Sequence, residues 1–471
     1  MISSSHLLED PNLDQIPALV AQQRSFFASQ QTKSLQFRKA QLERLHQKIV
    51  ERESEILAAL HSDLRKHEFE AYSTELGFVL VELKKAIQQL PKWMKAQKVG
   101  TPLFLFNAGS EIRSEPYGLS LIIGPWNYPF QLLFAPLIGA LAAGNTAILK
   151  PSELAPATSA ISAEIIREAF PPHYVAVVEG GVPASQALLK ERFDYIFFTG
   201  GTKVGKIIYQ AAAQHLTPIT LELGGKSPCL VDRDTDLKAT AKRIIWGKFT
   251  NAGQTCIAPD YVLVDKAVKE PLIAEMKRQI QKAYGDNPQQ SDSLARIINA
   301  AHFNRLIAYL KDGEIAAGGN YEESERYLSP TLMTEVNLDS PLMQEEIFGP
   351  ILPIISYDSL PSAIEFINQR PKPLALYIFS KNDKNVERVL AETSAGGACV
   401  NDTLLHIVNP NLPFGGVGES GIGAYHGESS FQLFSHQKSV LKRSFLIDDP
   451  VRYAPYKLGI KWLKKLMDWT L

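Results

Sequence analysis

Between residues 118 and 225 five short apolar runs, "LSLIIG", "NTAILK", "YVAVVEG", "YIFFTG" and "PITLELGG", are separated by segments long enough to be helices. A strand that is apolar along its whole length must be covered on both faces, and helical crossovers supply that cover. The pattern predicts βαβ units and a parallel sheet, and so an α/β fold. A second alternating region runs from about Lys226 to Val400, with "YVLVD", "PILPIISY" and "ALYIFS" as strands and helices near Lys266 to Tyr284 and Ala301 to Leu310. Two such regions suit a chain of 471 residues, because single hydrophobic cores stop growing beyond about 250–300 residues.

Ahead of the alternation the chain is mainly helical. Leu35, Leu42, Leu45, Ile49, Ile56 and Leu60 recur at close to helical spacing, and a further helix is predicted from about Tyr72 to Ala96. "GTPLFLFNAGSEIRSEPYG" reads as a short extended ribbon, and the glycines of "NLPFGGVGESGIGAYHG" mark an ordered, turn-rich passage. The final "YKLGIKWLKKLMDWTL" places Ile460, Leu463 and Met467 on one helical side and is too short and too charged to span a bilayer.

Charge excludes some functions. Lys+Arg number 49 against Asp+Glu 50, so no whole-protein field draws nucleic acid and no nucleic-acid partner is expected. The start, "MISSSHLLEDPNLDQ", has no basic segment leading into an apolar run. Cys229, Cys256 and Cys399 are too few and too scattered for a disulfide framework or a CxxC metal site. The expected home is a reducing cytoplasm, with no metal.

Four places could carry chemistry. In "FFTGGTKVGKIIYQAAA" a strand, then Gly200, Gly201, Thr202 and Gly205, then a helix leave backbone N–H groups to face a phosphate, or simply make a glycine turn. The spacing is not GxGxxG, and the loop follows the fourth strand of the series instead of the first. Glu222 of "LELGGKSP" leaves an apolar strand, where desolvation would raise its pKa toward that of a general base; a salt bridge at a strand end is the alternative. Cys256 of "NAGQTCIAPD" is either a nucleophile or an inert core filler, and the scant apolar periodicity around it weakens the second reading. Asn127 of "IIGPWNYPF" ends a strand in a proline-bracketed turn, where its carboxamide could donate to an oxyanion or satisfy the turn itself.

The strings "PWNYP", "GGTKVG", "LELGGKSP", "NAGQTC", "EEIFGP" and "LPFGG" occur in this order. Together they resemble the aldehyde dehydrogenase superfamily over nearly the whole chain, and "PWNYPF" and "SGIGAYHG" are most similar to its class 3 branch of fatty and aromatic aldehyde dehydrogenases. The resemblance implies a Rossmann-like dinucleotide-binding domain (residues 1–102 and 116–223), an α/β catalytic domain (224–400), a bridging, oligomerising β-element (103–115 and 401–445) and an amphipathic tail (446–471). It implies Cys256 as nucleophile, Glu222 as general base, and Asn127 as oxyanion donor beside the Cys256 N–H. For the cofactor it implies Gly200, Thr202 and Gly205 around a pyrophosphate and Lys150 and Glu153 at the adenosine ribose. Glu346 would hold the nicotinamide ribose, with Phe348 beside the ring. A carboxylate at residue 153 favours NAD by repelling a 2′-phosphate and Lys150 offsets that, so the expected cofactor is NAD or NADP.

The activity so implied is NAD(P)-dependent oxidation of an apolar aldehyde, whether medium- or long-chain aliphatic, aromatic or polyene, to its carboxylic acid by a homodimer. In a CoA-acylating relative CoA resolves the thioester, an outcome that Glu222 argues against. A noncatalytic protein retaining the fold would have no need of both the thiol and the base. For the tail two readings stand: Trp462, Leu463, Leu466 and Met467 cap the substrate channel or touch a lipid surface at the membrane periphery, or the helix packs on a subunit.

Overall fold

Each of the apolar runs forms a strand. Leu119–Ile123, Thr146–Lys150, Val175–Val177, Tyr195–Thr199 and Ile219–Glu222 pair in parallel, in the computed structural model that describes residues 13–105, 107–448, 452–456 and 459–470. Crossover helices cover the sheet, and in one of them, Gln131–Ala143, every residue is buried. Across the sheet the order is Ile219–Glu222, Tyr195–Thr199, Leu119–Ile123, Thr146–Lys150, Val175–Val177. The chain thus starts in the middle, runs out to one edge, then crosses to the other side. Beyond the carboxyl ends of Leu119–Ile123 and Tyr195–Thr199 lies the switch point, the place where open α/β sheets bind ligands. The position of the glycine loop follows from this order, since the fourth strand borders the crevice as directly as the first.

The second sheet runs Glu314–Ala317, Thr331–Thr334, Ile351–Tyr357, Tyr261–Asp265, Pro228–Val231, Ala375–Phe379, Gly397–Val400, parallel except for its first pair. The two helices predicted here form as Lys269–Tyr284 and Ala300–Tyr309, close to their expected bounds, and Leu237–Phe249, Leu360–Asn368 and Asp383–Glu392 join them. A separate antiparallel ribbon joins Gln97–Val99, Ala108–Pro116 and Ser435–Arg443. The glycine-rich passage near the end returns to the first sheet, where Gly421–Ile422 pairs beside Glu222, and the helix Glu428–Leu433 packs on Gln131–Ala143.

The helix predicted over residues 72–96 is divided. A π-helical turn, Tyr72–Leu76, separates the short helix Glu68–Ala71 from Gly77–Trp93. The Ser73 and Thr74 hydroxyls donate to the Glu70 carbonyl at 3.3 and 2.7 Å, and Glu75 is left buried. Its carboxylate pairs with Lys66 and accepts the N–H groups of Phe130 and Gln131 at 2.9 and 3.2 Å. π-Bulges often mark functional sites, and this one caps the helix that follows the Asn127 turn.

The tail forms a helix, Ile460–Thr470, on which Ile460, Trp462, Leu463 and Met467 are exposed; the Leu466 side chain lies outside the described residues. Among the described residues no helix is long and apolar enough to cross a membrane.

One buried carboxylate ties the amino-terminal helices to the first sheet. Asp63 accepts the N–H groups of Ala157 and Thr158 at 3.1 and 2.8 Å and the Thr158 hydroxyl at 2.7 Å, capping the helix Pro156–Ala169 from a distant part of the chain. Removing a helix cap costs about 0.5–2 kcal/mol, so Asp63→Ala should lose about 2 kcal/mol in urea unfolding; an unchanged midpoint would mean that the cap contributes nothing.

Candidate active site

Residues that leave the carboxyl ends of adjacent strands converge. Asn127 follows Leu119–Ile123, Gly200 follows Tyr195–Thr199, and Glu222 ends its own strand. They line a cavity of about 230 Å³ together with Cys256, Glu346 and Phe348, which come from the second half of the chain. Six of the sequence-predicted residues therefore share one space. Thr202 lies in an adjoining groove that also touches Gly224 and Glu346. Gly205 is buried on the helix Thr202–Ala213, and a Cβ there would stand 2.8 Å from Leu223. Lys150 and Glu153 do not line the Cys256 cavity. Lys150 ends the neighbouring strand Thr146–Lys150 and Glu153 follows it, and the buried ammonium donates to the Glu153 carboxylate at 2.7 Å and to the Pro151 carbonyl at 2.9 Å.

A backbone conformation rare for side-chain-bearing residues carries the thiol to this space. Asn251, Ala252 and Gly253 have φ of 53°, 51° and 76°, three left-handed residues in succession. Such residues cost about 1–3 kcal/mol each unless their surroundings hold them, and here they are held. The Asn251 N–H donates to Glu70 at 2.8 Å, and the Gln254 side chain donates to the carbonyls of Asn251 and Arg296 and accepts from the Ile298 N–H, each at 3.0 Å. Gly253 is needed for a second reason, because a Cβ would lie 2.2 Å from the Gly349 carbonyl oxygen. Gly224 likewise faces the Glu346 carboxylate, whose oxygens would meet a Cβ at 2.2 and 2.4 Å. The glycines of "LELGG", "NAGQTC" and "EEIFGP" thus let three separate strings close on one another. Lys226 secures the same junction by pairing with Asp260 and donating to the carbonyls of Leu342 and Glu345 at 2.9 and 2.8 Å.

Burial disfavours the charged forms of three acidic groups in this site. Glu222 is buried, neither of its carboxylate oxygens has a hydrogen-bond partner among the described residues, and burial pushes its pKa well above the usual range. Burial, reinforced by the Glu346 and Glu222 carboxylates, also pushes the half-buried Cys256 thiol far up. Glu346 is raised to about 8, chiefly by burial and then by Asp260, against the opposing Gly225 N–H and Lys226. Acids in one dry space disfavour each other's ionisation.

Sequence reasoning did not find Trp126, His302 and Arg305, which also line the cavity. Trp126 meets Phe348 edge-on at 5.3 Å and His302 at 5.0 Å. Arg305 donates to the carbonyls of Glu346 and Ile347 at 3.1 and 2.8 Å and so fixes the segment that carries Glu346. The spacing of His302 and Arg305, one turn apart on a helix, was the only local signal available. A second cavity, of about 250 Å³, opens on the other side of the thiol. Phe78, Tyr128, Leu132, Trp246, Ile257 and Phe414 make its wall apolar, and Cys256 lines both cavities.

The unpartnered Glu222 carboxyl has a consequence for stability. Its native pKa lies above the unfolded value near ~4.3, so as pH rises through that window the unfolded chain releases a proton that the native chain keeps, and stability falls. Glu222→Gln removes this loss. The variant should match the parent near pH 4 and exceed it by about 1–3 kcal/mol at pH 8; equal unfolding midpoints at both pH values would contradict the assignment.

Residues 9–440 match the family described as "Aldehyde dehydrogenase family". The chain is 52% identical to the 4,4'-diaponeurosporen-aldehyde dehydrogenase of Staphylococcus aureus over 443 residues, 94% of this chain and 96% of that one. It is 48% identical to the dimeric NADP-preferring aldehyde dehydrogenase of Rattus norvegicus over 445 residues, 94% of this chain and 98% of the relative. Among solved structures, that of the substrate-bound state of Staphylococcus aureus AldH superposes with a TM-score of 0.94 at 50% identity, covering 96% of this chain and 99% of that one. With the two sheets, the glycine loop at the switch point and the cysteine opposite Glu222, these matches establish that the chain belongs to the aldehyde dehydrogenase family and has its α/β fold.

Proposed function

We propose that this aldehyde dehydrogenase oxidises apolar aldehydes to carboxylic acids with NAD or NADP, through an acyl thioester on Cys256. The observation that carries the reading is the place of Cys256 between two unlike cavities, one holding Asn127, Glu222 and Gly200, the other walled by aromatic and aliphatic side chains. A chain enters the apolar side and presents its carbonyl at the sulfur.

The Cys256 thiol first gives up its proton to solvent; attack of the resulting thiolate on the carbonyl carbon then makes the C–S bond and moves the C=O π electrons onto oxygen. The Asn127 carboxamide and the Cys256 N–H are the donors for that oxyanion, and losing one such donor typically costs ~2.7–4 kcal/mol. The Asn127 amide nitrogen already gives one hydrogen to the Gln254 carbonyl at 3.0 Å, which leaves its second N–H for the substrate. What the dinucleotide supplies when bound is the acceptor for the hydride released as the C=O bond re-forms. Water then adds to the resulting thioester as the ionised Glu222 takes its proton, and the C–S bond breaks to release the acid and return Cys256 as the thiolate. Hydrolysis of this kind, not transfer to CoA, suits a carboxyl group with no other partner.

For the dinucleotide the fit rests on the helix Thr202–Ala213, whose first turn holds no acidic residue and whose cap, Gly201, has no side chain to occupy the N–H groups. Beside it Val182 and Val204, on two helices in contact, expose apolar surface suited to a flat base. Lys150 and Glu153 would reach the adenosine ribose, Glu346 the nicotinamide ribose, and Phe348 the ring. A homodimer is the assembly we infer, since Ser435–Arg443 and Gly397–Val400 each leave a sheet edge open.

Glu222→Gln should form acyl-enzyme in a first burst of reduced cofactor and then turn over at least ~100-fold more slowly, with acyl mass at Cys256. Cys256→Ala should bind dinucleotide without turnover. Normal steady-state rates in either variant would remove that residue from its role. Along a series of alkanals, kcat/KM should rise about fourfold per methylene, from ~0.8 kcal/mol per buried CH₂, until the cavity is filled. Indifference to chain length would reject the apolar substrate class.

A further inference from the structure

Beneath the Asn127 turn lies a charged group for which the reaction as described has no use. Lys66 is fully buried, paired with Glu75, and its ammonium stands 4.0 Å from the centre of the Tyr128 ring. It also donates to the main-chain carbonyl of Asn127 at 2.9 Å. A second donor reaches the same oxygen, the Asn251 carboxamide at 2.8 Å, from the left-handed turn that precedes Cys256. That amide also donates to the Gln254 carbonyl at 3.2 Å, the oxygen on which the Asn127 side chain rests.

We propose that Lys66, held by Glu75, and Asn251 are positioning residues that clamp the Asn127 carbonyl and thereby aim its carboxamide at the reacting oxygen. The inference rests on Asn127 being the oxyanion donor. A buried ion pair is a poor device for stability, because a well-packed apolar pair of the same volume is often as good or better. What an apolar pair lacks is direction. The ammonium offers a charge-assisted donor to one carbonyl oxygen, and the Glu75 carboxylate accepts the N–H groups of Phe130 and Gln131 just downstream. The residue whose side chain must be aimed is therefore gripped by its own carbonyl, and the chain is gripped again three and four residues on. Asn251 extends the grip to the nucleophile loop, so donor and sulfur are registered against each other and not merely placed in the same cavity. Neither Lys66 nor Asn251 lines either cavity, so both act through Asn127.

The test is a double-mutant cycle on hydride formation, followed by stopped-flow absorbance of reduced nicotinamide with a saturating long-chain alkanal. Lys66→Met/Glu75→Gln removes both charges together, and the new amide oxygen still accepts the two N–H groups. Misplacing a reacting group by about 1 Å can cost ~100-fold, so this variant should lose about 10- to 100-fold in rate with KM and dinucleotide affinity nearly unchanged. In an Asn127→Ala background the same change should cost less than about threefold, because no carboxamide is left to aim. Asn251→Gly keeps the left-handed backbone, leaves no charge unpaired and supplies the cycle should the first variant not fold. It should lose several-fold, again only while Asn127 is present. Wild-type hydride formation in the clamp variants, or losses that multiply with that of Asn127→Ala, would overturn the clamp while leaving the proposed reaction intact. If the parent enzyme turns over aldehydes but Asn127→Ala is fully active, then the oxyanion role fails first and the clamp with it.

Discussion

The docking of the Cys256 loop against the carboxyl end of the first sheet is the contact on which the remaining site geometry depends. Asn127 reaches the Gln254 carbonyl, the Tyr128 hydroxyl meets the Thr255 hydroxyl at 2.7 Å, and Asn251 returns a hydrogen bond to Asn127. Without these links the sulfur would belong to one sheet and Glu222 with the glycine loop to another. The contact in turn needs a left-handed turn and a glycine where a Cβ would strike Gly349. Short-range conformational cost at residues 251–253 is thus what permits long-range chemical proximity.

The site and its surroundings also hold groups that a stability optimum would not. Both oxygens of Glu222 lack hydrogen-bond partners among the described residues, as does the ammonium of Lys248, which is buried outside the cavity lining and whose pKa burial lowers to about 8. A buried polar group left unpaired costs about 1–3 kcal/mol. For the base we propose at Glu222 the lack of a partner is an advantage, because a carboxylate already accepting strong hydrogen bonds would be a weaker base. The surrounding scaffold offsets such costs through the fully buried helix Gln131–Ala143 and apolar strands covered on both faces.

What the sequence made legible follows from the range of each interaction. Strands such as Tyr195–Thr199 could be read because their burial on both faces leaves an unbroken apolar run in a few consecutive residues. Cys256 and Glu222 could be read because a thiol without apolar periodicity and a carboxyl at the end of an apolar strand are anomalies visible locally. The switch point could not, since strand order is a property of the assembled sheet; the glycine loop looked misplaced until its strand was seen beside Leu119–Ile123. Nor could the Lys66–Glu75 pair beneath Asn127, or the wall that joins Phe78 to Phe414 across most of the chain. The π-helical turn escaped because it keeps helical periodicity while adding a residue, which a pattern of apolar spacings does not register.

The two cavities bear on the rate as well as on selection. In the reaction we propose, an apolar chain filling the space between Phe78 and Trp246 would expel water from one side of Cys256, while Trp126 and Phe348 flank the other. Hydrogen-bond donors act more strongly on a developing oxyanion in such a dry space than in water. A short aldehyde leaves water beside the sulfur and gains less from the same Asn127 carboxamide. Part of the free energy of burying a distant tail is therefore realised only once charge appears on the carbonyl oxygen, and so it enters kcat and not KM alone. In the reaction we propose, the tail would also exclude bulk water while the thioester awaits a single solvent molecule at Glu222, so the apolar wall that selects the substrate would protect the intermediate as well.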